Sequence, residues 1–482
     1  LNREYLHAGA IAAAFTLLAA FVSIYLLYCS FEAAALDLGL FTQTLRYTLE
    51  GKILYTTIDQ ASFLADHFSP VLLLMTPIYW LFPYAQTLLV VQAIVLGAGV
   101  YLSYVLARSF GFSHKTSILV EVLFSLNPLL WGLVMFDFHP VAFAVPALLL
   151  MFIGMVRKRQ YLFFTGFIFA LLTKEIIIMA LAIFGFARII IVYVKEKHWE
   201  RQSLIILGIS LTFYGLAVLT AAWASDWEFP PKMLQYTDVR YGFLKEPMYA
   251  VLPEAIRTFM SAESIFMLMA YLLPFAFLPL LSPGLALPGL FILATNMLAT
   301  YTDQRANFHQ YAAPALPFLY AAFLYSLIKI RGNIEIQQLL NRLSPRLAIY
   351  CLESLLIASL LFNISPTSRF WQLELPDSHD KSTREIIALI PDGTTVTAQN
   401  TIFPHLCNRT EVFLPHWVGK ASFYDEDITW GYPERFTEYV IIDWTKLQLT
   451  DEGFWEDIVL KQIHQKYDSI AETDNVQLFR LR

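Results

Sequence analysis

Charge is scarce in this chain. Asp, Glu, Lys and Arg make up 15% of its 482 residues, against roughly 25% in an ordinary soluble domain. With 57% of residues hydrophobic and a mean hydropathy of +0.54, most of the chain cannot fold as a water-soluble globule, and its solvent is lipid. Cysteine is scarcer still. Cys29, Cys351 and Cys407 stand far apart, which excludes a disulfide framework and the paired spacings of a structural zinc site. Positive charge is not in surplus either: the net charge is −6. Phosphate-backbone ligands need a basic face, so nucleic acid is excluded as a partner.

What the sequence does contain is a succession of apolar runs. The first, 8–30, is too long for a signal-peptide core and lacks a small-residue cleavage site before Glu32, so it reads as a retained span. Others lie near 84–107, 116–135, 141–156, 161–173, 176–194, 204–224, 264–281, 285–300, 312–328 and 347–362. The pattern predicts a polytopic α-helical membrane protein of about eleven spans, several of them shorter than the roughly 20 residues of a straight crossing. Arg108, Lys115, the Arg157-Lys158-Arg159 cluster and the basic residues of 195–201 and 329–346 fall on one side if the N-terminus is cytoplasmic. An odd number of spans then puts the C-terminus outside the cytoplasm.

The chain divides into a transmembrane module, 1–369, with long outer loops at 31–83 and 225–263, and an extracytoplasmic α/β domain, 370–482. The domain carries net charge −9 and the module +3. Within the first loop, 68–82 is apolar, interrupted by Pro70 and Pro77, and suits a helix at the membrane interface. Trp223, Trp227, Pro230, Pro231, Tyr236 and Tyr241 suit headgroup level. In the tail, 382–389 reads as a helix stopped by Pro391-Asp392-Gly393, with strands at 395–398, 438–442 and 476–481 and an amphipathic helix at 454–467.

Ionisable residues at or near membrane depth are expensive and therefore mark function. Asp37, in Leu36-Asp37-Leu38-Gly39, follows the first span; it could cap a helix over 40–49 or serve as a base. Asp66-His67, Asp137 with His139, and His309 beside Arg305 all fall at outer ends. Neutral imidazoles there can accept a proton, or Asp37, Asp66, His67, Asp137 and His139 could hold a divalent cation, though none is required. The alternative is interfacial capping and hydrogen bonding. Lys174-Glu175 interrupts an apolar stretch, either facing a wet cavity or neutralising itself in a loop. Arg240, Lys245, Arg257 and Arg305 are the outward cations suited to a phosphate. Glu121 and Glu353 lie inside spans without an assigned role.

The order Asp37-Leu38-Gly39-Leu40-Phe41, His67-Phe68-Ser69-Pro70, Phe138-His139-Pro140, Thr173-Lys174-Glu175 and Phe308-His309-Gln310-Tyr311 resembles a family of multipass proteins catalogued as a domain of unknown function. The tail segments Ala398-Gln399-Asn400 and Pro404-His405-Leu406, with Arg409, resemble it too. That family is similar to the GT-C glycosyltransferases, which take a sugar from a polyprenyl-phosphate carrier on the non-cytoplasmic face. The resemblance implies that Asp37 is the catalytic acid of the first outer loop. A single acid followed by Leu-Gly departs from the Asp-Asp or Glu-any-Asp of many GT-C enzymes and favours an inverting, single-base displacement. His67, His139, Lys174, Glu175, Arg240, Arg305, His309 and Tyr311 are then expected to bind substrate. The expected partners are a polyprenyl-phosphate-linked sugar donor, the lipid bilayer and an acceptor. The competing readings are a lipid or polysaccharide transporter, or a structural or sensory membrane protein.

Overall fold

The structure is a computed structural model that describes residues 3–305, 310–332, 345–365, 368–409, 411–414, 436–446 and 461–482. The helices, in chain order, begin with α1 (Arg3–Phe21, running on as a π-helix over Val22–Tyr28), α2 (Leu40–Leu49), α3 (Val71–Leu81), α4 (Ala85–Ser109), α5 (His114–Ser125) and α6 (Pro128–Val134). They continue with α7 (Ala144–Val156), α8 (Gln160–Leu171), α9 (Glu175–Glu196), α10 (Arg201–Ala224), α11 (Lys232–Tyr241) and α12 (Met248–Phe259). The last are α13 (Ala262–Leu272), α14 (Pro283–Leu298), α15 (Leu316–Gly332), α16 (Pro345–Asn363), α17 (Ser378–Ile387) and α18 (Lys461–Lys466).

Among the described residues, five helices are long and apolar enough to cross a membrane, or up to seven if each of two bent pairs counts as one span. The difference from eleven is one of length. The expected spans at 141–156, 161–173, 285–300 and 347–362 appear as shorter apolar helices, and the one at 116–135 is broken. The α5–α6 pair bends by 49° where Asn127 accepts a hydrogen bond from Leu129 N (3.0 Å) and Pro128 opens the next helix. A side-chain cap followed by proline starts a new helix rather than continuing the old one. The second bend, 60° between α12 and the segment Ala262–Phe275, follows Ser261, which caps α13 through Ser264 N (3.2 Å). The loop expected at 225–263 thus contains two helices, α11 and α12.

The chain divides into two compact units. The first comprises Leu1–Ala20, Leu64–Val71 and Val91–Gln372. Its closest helix pair, α7 and α8, is joined by a tight turn with Lys158 at φ 54°. Glycines let the backbones touch: a Cβ on Gly166 would sit 2.4 Å from Ala147 O, and one on Gly154 2.2 Å from Phe163 N. In lipid, where apolar side chains gain little by leaving their solvent, such close approach supplies the packing.

The second unit comprises Phe21–Phe63, Leu72–Val90 and Leu373–Arg482. Its strands are β1 (Tyr55–Thr56), β2 (Ala61–Ser62), β3 (Val396–Ala398), β4 (Val412–Phe413), β5 (Tyr439–Asp443), β6 (Tyr467–Thr473) and β7 (Val476–Leu481). β1 and β2 form a small hairpin, and the other five make a sheet ordered β4-β3-β5-β7-β6. β3 runs parallel to β4 and β5, whereas β7 is antiparallel to β5 and β6. β5 is buried along its whole length, which fits its nearly continuous apolar run Tyr-Val-Ile-Ile at the centre of the sheet. The β6–β7 turn uses Asp474 and Asn475, both left-handed (φ 52° and 62°), as a two-residue hairpin turn requires. Helix α17 starts with a reciprocal capping box between Asp377 and Asp380 and packs on β6 and β7. The expected strands at 395–398, 438–442 and 476–481 are present. The helix expected at 382–389 begins four residues earlier, at its cap, and of the one expected at 454–467 the stretch 454–460 lies outside the described residues.

Candidate functional site

Two groups of the proposed site residues have defined surroundings, one in each unit. In the first unit, α9 opens at Glu175, just after Lys174 in extended conformation. A helix start favours a carboxylate because the exposed amides there carry partial positive charge. Glu175 turns both oxygens toward the loop before α3: Oε1 meets His67 Nδ1 at 2.8 Å and Oε2 accepts from Phe68 N at 3.1 Å. Val71 N donates to Leu172 O (3.0 Å), which fixes the loop against the α8–α9 turn. Burial first, then the charges of Lys174 and Arg240, hold His67 below the usual imidazole range despite Glu175.

Arg240, in the last turn of α11, is built in from several sides. Its guanidinium stands over the rings of Tyr301 (5.4 Å) and Tyr311 (5.1 Å). Nη1 donates to Gln304 Oε1 at 2.7 Å and Nη2 to Tyr311 OH at 3.3 Å. Gln304 in turn donates to Tyr241 OH and Asn296 Oδ1, and Asn296 to Tyr271 OH and Tyr311 O. A planar cation stacked on aromatics and held by a fixed acceptor has lost its rotamer freedom before any ligand arrives. His67, Lys174, Glu175, Arg240 and Tyr311 therefore belong to one neighbourhood. Tyr301 and Gln304, which orient the arginine, were not legible in the sequence; their only signal there is nearness to Arg305.

His139 and Asp137 are organised around Gln92. His139 N donates to Gln92 Oε1 (2.9 Å), Gln92 Nε2 donates to the carbonyls of Leu133 and Asp137, and His139 Nδ1 lies 3.2 Å from Asp137 O. Asp66 and Asp137 are buried. Arg305 is half-buried, and its Nε has no hydrogen-bond partner among the described residues. His309 lies outside the described residues. Among the described residues no three His, Cys, Asp or Glu side chains come together as a group able to hold a metal ion; the carboxylate that His67 meets is Glu175.

In the second unit, Asp37 sits half-buried in a five-residue π-helical turn, Ala35–Gly39, between exposed Leu36 and buried Leu38. No side chain caps this turn or α2, whose N-cap is Gly39, so Asp37 is not the helix cap that its position allowed. The tail motifs hold the turn. Ala35 N donates to Asn400 through both its carbonyl (2.8 Å) and its side-chain Oδ1 (2.9 Å). Gly39 is pressed on the Phe403 ring, where a Cβ would come within 2.6 Å. His405 stacks between Tyr28 (4.1 Å) and Phe31 (3.9 Å), and burial there, then Arg384, pushes it down to about 3. Gln43 and Thr57 both donate to Val412 O. Arg409 serves another end, binding Ile390 O and Pro391 O at the turn before β3.

Apolar helices of crossing length, with a small C-terminal sheet and acids and cations gathered near helix ends, make this an integral membrane protein of mostly helical, polytopic architecture. The chain belongs to the family described as "Predicted membrane protein (DUF2079)", whose model matches residues 27–478. No curated protein matches it. Among solved structures it is similar to ArnT from Cupriavidus metallidurans bound to undecaprenyl phosphate, with a TM-score of 0.56 at 12% identity, over 98% of this chain and 97% of that one. It is also similar to apo ArnT from the same organism, with a TM-score of 0.53 at 10% identity and the same coverage. The likeness establishes the fold and agrees with the GT-C relation that the motifs suggest.

Proposed function

We propose that the protein is a membrane glycosyltransferase that moves a sugar from a polyprenyl-phosphate carrier to an acceptor on the non-cytoplasmic face. The observation that supports this most is the ArnT fold over nearly the whole chain, with undecaprenyl phosphate bound in one of the two ArnT structures. The orientation follows from the basic clusters, which stay cytoplasmic if the N-terminus is inside and 370–482 outside.

In this reading Asp37 is the base. It takes the proton of the acceptor hydroxyl while that oxygen bonds to the anomeric carbon with inversion. The bond from that carbon to the carrier phosphate breaks, and its electron pair leaves with the phosphate. A pre-oriented guanidinium is suited to the charge that grows on the leaving phosphate oxygen, and Arg240 is the cation assigned to this role. The reaction as written needs no metal.

The test is Asp37→Asn, compared with wild type in purified form for thermal stability, donor binding and sugar release from a polyprenyl-phosphate donor. The variant should fold and bind donor normally but lose transfer by at least about a hundredfold, the low end of what a positioned base contributes. Full turnover by the variant would remove Asp37 from the chemistry.

A further inference from the structure

Glu121 has no part in the transfer reaction, yet it is the acid most out of place in the membrane helices. It lies on α5, is wholly buried, and neither carboxylate oxygen has a hydrogen-bond partner among the described residues. Ser117, one turn earlier, is also wholly buried, and its Oγ likewise lacks a partner among the described residues. His114 opens the same helix. Positions 114, 117 and 121 are spaced by three and four residues, so they stack along one face, and Glu121 lies about 10 Å along the axis from His114.

The polar line continues outward from His114. Its Nδ1 is 3.0 Å from Tyr104 OH, and its Nε2 is 3.3 Å from Nδ1 of exposed His7. Among the described residues, the phenols of Tyr104 on α4 and Tyr320 on α15 lie within electrostatic range of Glu121. Tyr320 OH is committed to Ser103 O (3.1 Å). Lys115 follows His114 on α5, Arg108 at the end of α4 is taken by Phe112 O (2.7 Å) and Glu4 (3.3 Å), and on α16, which packs on α5, Glu353 is exposed. A carboxylate without a cation or donor in such a place is far costlier than the neutral acid.

We propose that Glu121 is a proton-binding site inside the membrane helices, with the hydrogen-bonded group His7, His114 and Tyr104 at the exposed end of the same helix as the place where the proton enters. A proton taken from water at His7 passes to His114 and Tyr104 along their hydrogen bonds, and from there, across a stretch in which Ser117 and Glu121 make no hydrogen bond among the described residues, it moves only when these side chains rotate toward each other. It ends on a Glu121 oxygen, taking that group from one negative charge to none; release runs the same steps backward. The site is independent of the transfer chemistry.

Infrared spectroscopy of the purified protein tests this. Wild type should show a carboxylic-acid carbonyl band that Glu121→Gln lacks, and the band should shift downward on transfer to D2O. The double variant His114→Ala, Tyr104→Phe should keep the band but slow that shift. Identical wild-type and Glu121→Gln spectra, a band that never exchanges, or exchange unaffected by the double variant would each overturn the proposal. Because Glu121→Gln could fail to fold, wild type is also treated with dicyclohexylcarbodiimide, which reacts with protonated carboxyls in apolar surroundings. The adduct should map to Glu121 and diminish as pH rises, and its absence would equally overturn the assignment.

Discussion

Two histidines in this molecule each meet a carboxylate at 2.8 Å, His67 with Glu175 in the first unit and His379 with Asp443 in the second. They are driven in opposite directions. Burial opposes protonation at both. At His67 the charges of Lys174 and Arg240 add to burial, and one carboxylate does not offset them. At His379 there is a second acid: Asp474, on the β6–β7 turn, meets Nδ1 at 3.1 Å while Asp443 and Thr445 meet Nε2, and the two carboxylates raise its titration above the usual range. A histidine–carboxylate contact therefore does not fix a charge; the groups around it do. The first pair leaves a neutral ring between Glu175 and the cations Lys174 and Arg240. The second is a cationic staple from α17 to β5 and the hairpin turn.

The largest effect expected from breaking this comparison comes from Glu175→Ala. It strips the acceptor from Phe68 N and the partner from His67 together, and each unmet buried group costs about 1–3 kcal/mol. Thermal unfolding in detergent should fall accordingly, and an unchanged midpoint would mean that the pair does not hold the loop. His379→Gln should act more weakly, by about 1 kcal/mol, and with a pH dependence. A histidine raised in the fold stabilises fully below its ordinary value near 6.5 and loses that contribution as pH rises through the raised value. The wild-type advantage over the variant should thus be greatest in mild acid and shrink toward alkaline pH. His67 has the opposite sign: the unfolded chain takes up a proton near 6.5 that the fold resists, so its contribution is lost as pH falls. A wild-type advantage at His379 that ignores pH would show that the staple is not charged.

The membrane helices were legible because long apolar runs have few alternatives in sequence, and the strands at 396–398, 439–443 and 476–481 because their apolar runs end at turns. The break within a span was harder to read. Asn127-Pro128 is a local signal of a new helix, but a strong apolar average across 116–135 hid it. Strand β6, Tyr-Asp-Ser-Ile-Ala-Glu-Thr, is largely exposed and polar, and only pairing with β7 makes it a strand. Of the site, the acids and cations could be chosen from the sequence by their cost near lipid. Their partners could not: Arg240 with Gln304 and Asp37's turn with Asn400 join residues 64 to 365 positions apart, a relation that only the fold creates. The tail motifs around Asn400 and His405 gave a family likeness without revealing that they hold the turn of Asp37.

The smallest expected effect sharpens the comparison most. If Arg240 helps to keep His67 neutral, its charge and its geometry can be separated. Arg240→Lys keeps a positive charge but gives up the planar fork and the flat stacking on Tyr301 and Tyr311. Donor binding should weaken by about tenfold, as when one charge-assisted hydrogen bond is lost, while His67 stays below its usual range. Arg240→Gln removes the charge as well, and the His67 titration should then move upward, though only slightly, because burial and Lys174 remain as the larger causes. Proton-detected NMR of histidine-labelled protein, with the His67 signal assigned through His67→Gln, follows the midpoint directly. A midpoint that moves equally in both variants would mean that Arg240 acts on His67 through loop packing rather than charge. A midpoint that moves in neither would separate Arg240 from His67 altogether and leave burial and Lys174 as the causes of its neutrality.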